Sequence, residues 1–225
     1  MNRKRNTVRN IFLGISSILM ILTLYMIFLY VPVEKEMGIV QKIFYLMVPM
    51  GWLALLSFLI VFIGSILYLI NKDSKWDVLA HSSASIGILF TALALLIGAI
   101  WAKPVWGVWW TWEARLTATL VLFMLYVAYF MVRSFTADEA RGATFAAVIG
   151  IVGFIDIPII ALATTLWRGM HPGGIIFAGG LAPSMLLTLI TSLIAFTFFY
   201  SLLLMQQISL KNNENRLKKL QQYLN

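Results

Sequence analysis

Five of the eight tryptophans in this chain fall within twelve residues, at Trp101, Trp106, Trp109, Trp110 and Trp112. Glu113 and Arg115 follow at once, in Trp106-Gly-Val-Trp-Trp-Thr-Trp-Glu-Ala-Arg115. Indoles offer broad apolar faces with one polar handle each, and the carboxylate and guanidinium add charge at their edge. If residues 106–113 are helical, Trp106, Trp109, Trp110 and Glu113 recur at i, i+3, i+4 and i+7 and share one face. Such a face is a shelf for a large planar ligand with an acidic edge. The same residues also fit the aromatic belt of a membrane interface, and spacing alone leaves both readings open.

The remaining residues with chemical potential are few. The chain has no cysteine and two histidines. Disulfides, thiolate metal sites, cysteine nucleophiles and multi-histidine zinc sites are therefore excluded. His171 follows Trp167 and Arg168 in a glycine- and proline-rich stretch. A lone loop histidine is ordinarily solvated, but this one falls on the same side of the membrane as the tryptophan block. His81 reads as an interfacial residue at the start of a span. Asp156 lies inside an apolar run, in Gly153-Phe-Ile-Asp-Ile-Pro158. An acid at that depth is a functional suspect, although it also suits backbone groups freed by the proline.

The elements that must position these residues follow from composition. Of 225 residues, 61% are apolar and 12% charged, with a mean hydropathy of +0.89. Soluble domains are about 45–50% apolar and about 25% charged, so the solvent here is largely lipid. Charge-free runs cover Asn10–Val33, Ile43–Asn71, His81–Ile100, Leu116–Val132 and Gly169–Leu210, and Gly142–Leu166 is broken only by Asp156. A crossing takes about 20 apolar residues. The last run opens with Pro172, Gly173, Gly174 and Pro183, which predicts a loop before a span near Leu181–Gln207. The expectation is an all-α integral membrane protein with six transmembrane helices in one domain over 1–210. The first span reads as retained, not cleaved, and residues 211–225 as a polar tail forming a cytoplasmic surface helix.

The formal charge is +8, and its placement sets the orientation. Twelve Lys and Arg fall on the side of the termini and five on the other. The positive-inside rule then puts both termini in the cytoplasm and the tryptophan-rich loop outside. Nothing in this pattern resembles a phosphate-binding face for nucleic acid. There is no G-x-x-x-x-G-K-[ST] loop, so nucleotide hydrolysis would fall to a partner. The spans have almost no polar residues to line a solute pathway.

The run Trp106–Thr117 resembles the tryptophan-rich "WWD" motif of the haem-handling superfamily that comprises the haem exporter protein C family (CcmC), CcmF and CcsA. Lys42-Ile-Phe-Tyr-Leu-Met-Val-Pro49, Asp156-Ile-Pro-Ile-Ile160 and Trp167…His171 resemble CcmC in the same order. The likeness covers roughly residues 30–175, with the WWD-type core at about 43–180. Length and span number also favour CcmC over the other two branches.

The resemblance implies haem b carried as cargo at the outer face of a bacterial plasma membrane, against Trp106, Trp109, Trp110 and Trp112. Glu113 and Arg115 lie at its edge. It implies axial ligands from the first and third outward connections, and delivery to a small haem chaperone (CcmE) beside CcmA, CcmB and CcmD. His171 can bind iron.

This chain departs from the family pattern twice. Met47 stands where a histidine is usual, and Glu113 where the motif closes in aspartate. Thioether ligation, a five-coordinate site and loss of the first ligand all remain open for Met47. The expected role is haem binding and transfer, not catalysis. The rivals are a CcsA-type cytochrome c synthetase and a scaffold with a decayed haem site.

Overall fold

The computed structural model describes residues 3–35, 37–166 and 180–224. Six helices follow one another: α1 (Arg3–Tyr25), α2 (Phe44–Asn71), α3 (Ser74–Trp106), α4 (Ala114–Phe135), α5 (Glu139–Leu166) and α6 (Pro183–Leu224). Each is long and apolar enough to cross a membrane. Helices suit that solvent because they satisfy their own backbone groups. The chain is a multi-pass membrane protein.

α2 and α3 form an antiparallel hairpin joined by two residues. Lys72 closes α2 in the left-handed conformation, its N–H donating to the Tyr68 carbonyl (2.8 Å). Asp73 then caps α3 by accepting from the Lys75 N–H (3.0 Å). The two helices touch most closely at Gly87, where an added Cβ would lie 2.8 Å from the Ser57 Cβ. α4 and α5 form a second hairpin, which packs on α2 through Gly150 against Ser65 and Val61. α1 and α6 pair along their length, with Phe12 near Phe198 and Ile27 packed with Leu189.

The core is aromatic where three helices meet. Phe58 stacks on Tyr126 with ring centres 3.7 Å apart, and Phe62 stacks on Phe154 at 4.3 Å. Buried hydroxyls are tied down: Ser83 Oγ donates to the Ser57 carbonyl (2.7 Å) and lies 2.8 Å from the Tyr200 hydroxyl. That contact fastens α6 to the α2–α3 hairpin.

One expectation needs correction. Residues 106–113 are not one helix, because α3 stops at Trp106. Gly107 takes a left-handed φ of 78°, donates to the Lys103 carbonyl (3.0 Å), and turns the chain away. The helical shelf of three tryptophans and a glutamate is therefore not formed. The polar tail is helical and belongs to the last helix. α6 continues unbroken to Leu224, 42 residues in all. At 1.5 Å per residue that is about 63 Å, twice the hydrocarbon thickness.

Candidate functional site

The antiparallel pairings gather the unusual residues at one end of the bundle. Met47, in the first turns of α2, faces the last turns of α3, its sulfur 3.8 Å from where a Cβ on Gly98 would sit. Trp101 lies one turn further along α3. It is buried, and the Trp106 ring meets it edge-on at 5.2 Å.

Beyond Gly107 the chain bends at Val108 and Trp109 and reaches the start of α4 without regular structure, with Trp110 and Trp112 edge-to-face at 5.9 Å. Lys103 fixes the turn by donating from Nζ to the Gly107 carbonyl (3.0 Å). Trp109 and Trp112 are 59% and 77% exposed. That is a large apolar area to leave uncovered on a polar-flanked loop.

Trp101 Nε1, Trp110 Nε1, Thr111 Oγ1 and Thr117 Oγ1 are buried and have no hydrogen-bond partner among the described residues. An unmade buried hydrogen bond costs about 1–3 kcal/mol, and seven other buried polar atoms elsewhere among the described residues are in the same state, so these four do not by themselves mark a ligand. The loop also carries charge. Arg115 is exposed in the first turn of α4, where the helix dipole disfavours a cation. Glu113 precedes it as the N-cap residue, its backbone carbonyl accepting from the Thr117 N–H (3.0 Å).

A group with flat apolar faces and carboxylate edges fits these residues. The exposed indoles of Trp109 and Trp112 can stack on such faces, and the exposed Arg115 guanidinium can pair with a carboxylate. Trp106, Trp109, Trp110, Trp112, Glu113 and Arg115 are thus brought together on one turn and loop. Met47 belongs to the same end. His171 lies outside the described residues.

Asp156 is on α5. One carboxylate oxygen, Oδ2, is buried with no hydrogen-bond partner among the described residues.

The comparisons with known proteins bear on this arrangement. The family model for heme exporter protein C, CcmC, matches residues 2–223. The chain belongs to the heme exporter protein C family. It is 37% identical over 172 residues to the heme exporter protein C of Bradyrhizobium diazoefficiens, covering 75% of this chain and 65% of that protein. It is 32% identical over 174 residues to the Haemophilus influenzae heme exporter protein C, covering 76% and 71%. A putative cytochrome c biosynthesis ccmC-like mitochondrial protein of Marchantia polymorpha is 33% identical over 161 residues, covering 72% and 68%. The match thus spans a little under two-thirds of the Bradyrhizobium relative.

In this CcmC-family chain the sequence places Thr111 and Thr117 inside the Trp106–Thr117 motif and Trp101 in the tryptophan block but gives none of the three a role. The structure buries a polar atom of each without a partner among the described residues.

Proposed function

We propose that this protein binds haem b as cargo against its tryptophan loop and passes it on for cytochrome c biogenesis. The observation that carries this reading is the pair of exposed indoles, Trp109 and Trp112, on a loop that leads into the exposed Arg115. Haem supplies a porphyrin face for Trp109 and Trp112 and propionates for the Arg115 guanidinium. Iron would take His171 from the third connection, with Met47 as the candidate on the opposite side; His/Met ligation raises the reduction potential.

The relatives' names speak of heme export and cytochrome c biosynthesis, which supports carriage over catalysis. On this reading the recipient is a small membrane-anchored chaperone of the CcmE kind, and subunits like CcmA, CcmB and CcmD work alongside. The membrane is the bacterial plasma membrane, with the loop on its outer side.

The test is the visible spectrum and pyridine haemochrome of detergent-purified protein expressed with haem available. Near-stoichiometric b-type haem is expected. His171→Ala should lower occupancy or shift the Soret band, and Met47→Ala should shift it if the thioether binds iron. A well-folded protein that purifies without haem would overturn the proposal and leave the loop as a partner-docking surface.

A further inference from the structure

The opposite end of the bundle holds a cleft of about 1020 Å³ between α6 and the ends of the two hairpins. Its floor is apolar, made by Ile88 on α3 with Val127, Phe130 and Met131 on α4. Its rim carries five cations, Lys72, Arg133, Lys211, Arg216 and Lys218, against two carboxylates, Asp77 and Glu139.

Three of those cations are already paired. Arg133 makes a two-pronged bond to Asp77 (2.5 and 2.8 Å), and both side chains are only 17% exposed. Lys218 reaches Glu139 (2.5 Å), tying the far part of α6 to the start of α5. Lys211 pairs with Glu214 outside the cleft (3.2 Å). Lys72 and Arg216 have no carboxylate partner among the described residues. Lys72 instead lies 5.3 Å from the Tyr68 ring centre.

The backbone adds an independent observation. Lys72 is the sole non-glycine residue with positive φ among the described residues. Glycine or asparagine ordinarily closes a helix in that conformation, and a lysine there costs about 1 kcal/mol. The turn tolerates this strain while presenting an ammonium group at the mouth of the cleft.

We propose that the cleft seats the phosphate headgroup of an acidic phospholipid. Lys72 and Arg216 contact the phosphodiester, and an acyl chain lies along the Ile88–Val127–Phe130 floor. The depth agrees with this occupant. Lys72 sits in the turn between two spans, and Arg133 and Glu139 at the ends of two others, which is the headgroup level of a bilayer. Basic pockets between helices recognise anionic lipid by this combination of charge and apolar contact. A soluble phosphate shares the headgroup chemistry but makes no use of the floor.

The full chain should be exchanged into nanodiscs of phosphatidylcholine with or without phosphatidylglycerol, and the retained lipid counted by native mass spectrometry. Selective retention of phosphatidylglycerol is expected, weakening with salt. Lys72→Gly and Arg216→Gln should each reduce it about fivefold and together about 25-fold. Lys72→Gly also relieves the backbone, so its melting temperature should not fall. Equal retention of the two lipids, or an unchanged preference in the double variant, would overturn the proposal. So would displacement of phosphatidylglycerol by inorganic phosphate at equal concentration, which would assign the cleft to a soluble anion. A photoactivatable phosphatidylglycerol headgroup provides a check on the unsubstituted chain. Cross-links are expected at residues 72–77 and 211–216, and cross-links confined elsewhere would refute the site.

Discussion

Trp109 and Trp112 leave most of their surface uncovered, so the folded protein gains little from them by packing. Their replacement separates binding from stability. Trp109→Ala and Trp112→Ala should each weaken haem retention by about three- to tenfold, from the roughly 0.5–1.5 kcal/mol an aromatic contact adds beyond its buried area. The melting temperature of haem-free protein should stay within about 2 °C, because exposed substitutions cost little. Titration of haem into the purified variants checks both. Unchanged affinity in the double variant would remove these rings from the site. Trp101 makes the instructive contrast, being buried against Trp106. Its truncation is expected to destabilise the fold as well as the site, so it cannot report on binding alone.

At the scale of elements, close approach between helices depends on two glycines with opposite neighbours to a third. A methyl group on Gly87 would meet the Phe58 ring at 2.7 Å and the Ser57 Cβ at 2.8 Å. On Gly150 it would meet the Ser65 hydroxyl and the Val61 side chain, both at 2.9 Å. Gly51 has nothing within 4 Å. Gly87→Ala should cost about 1–3 kcal/mol by overpacking and loosen the Ser57–Ser83–Tyr200 contacts beside it. Gly51→Ala should be neutral within about 0.5 kcal/mol. Thermal unfolding in detergent measures the difference, and equal melting of the two variants would mean that α2 and α3 do not meet at Gly87.

The existence of all six spans was legible in the sequence, because lipid imposes one rule on every stretch of about 20 residues. Their limits were less so. α3 runs past the charge-free interval at both ends, since Asp77 is neutralised by Arg133, 56 positions away, and Lys103 turns its ammonium to the Gly107 carbonyl. Charge marks a boundary only where the charge is unpaired, and pairing across helices is invisible to a window. The tryptophan cluster was legible as a composition but not as a conformation, because one left-handed glycine decides where the helix stops.

For the molecule as a whole, the antiparallel pairings divide it into a tryptophan end and a charged end. Both termini leave from the charged end: Phe12 beside Phe198 sets the start of α1 against the outgoing part of α6. The count of basic residues predicts that the tryptophan end faces outward, the orientation on which the proposed delivery of haem depends. The absence of cysteine makes the test clean, since a single introduced thiol is the only one present. Val108 is exposed in the tryptophan loop, and Lys75 is exposed in the first turn of α3, where it pairs with Asp73 and lies over the Trp76 ring. In right-side-out vesicles, a membrane-impermeant maleimide should label Val108→Cys at least tenfold faster than Lys75→Cys. Inverted vesicles should reverse the order, and detergent should abolish it. The reverse pattern would place the loop inside. Haem held there would await export instead of having completed it, and a chaperone anchored on the outer side could not reach it. Equal labelling from both sides would indicate mixed insertion, which a chain with twelve basic residues against five should not show.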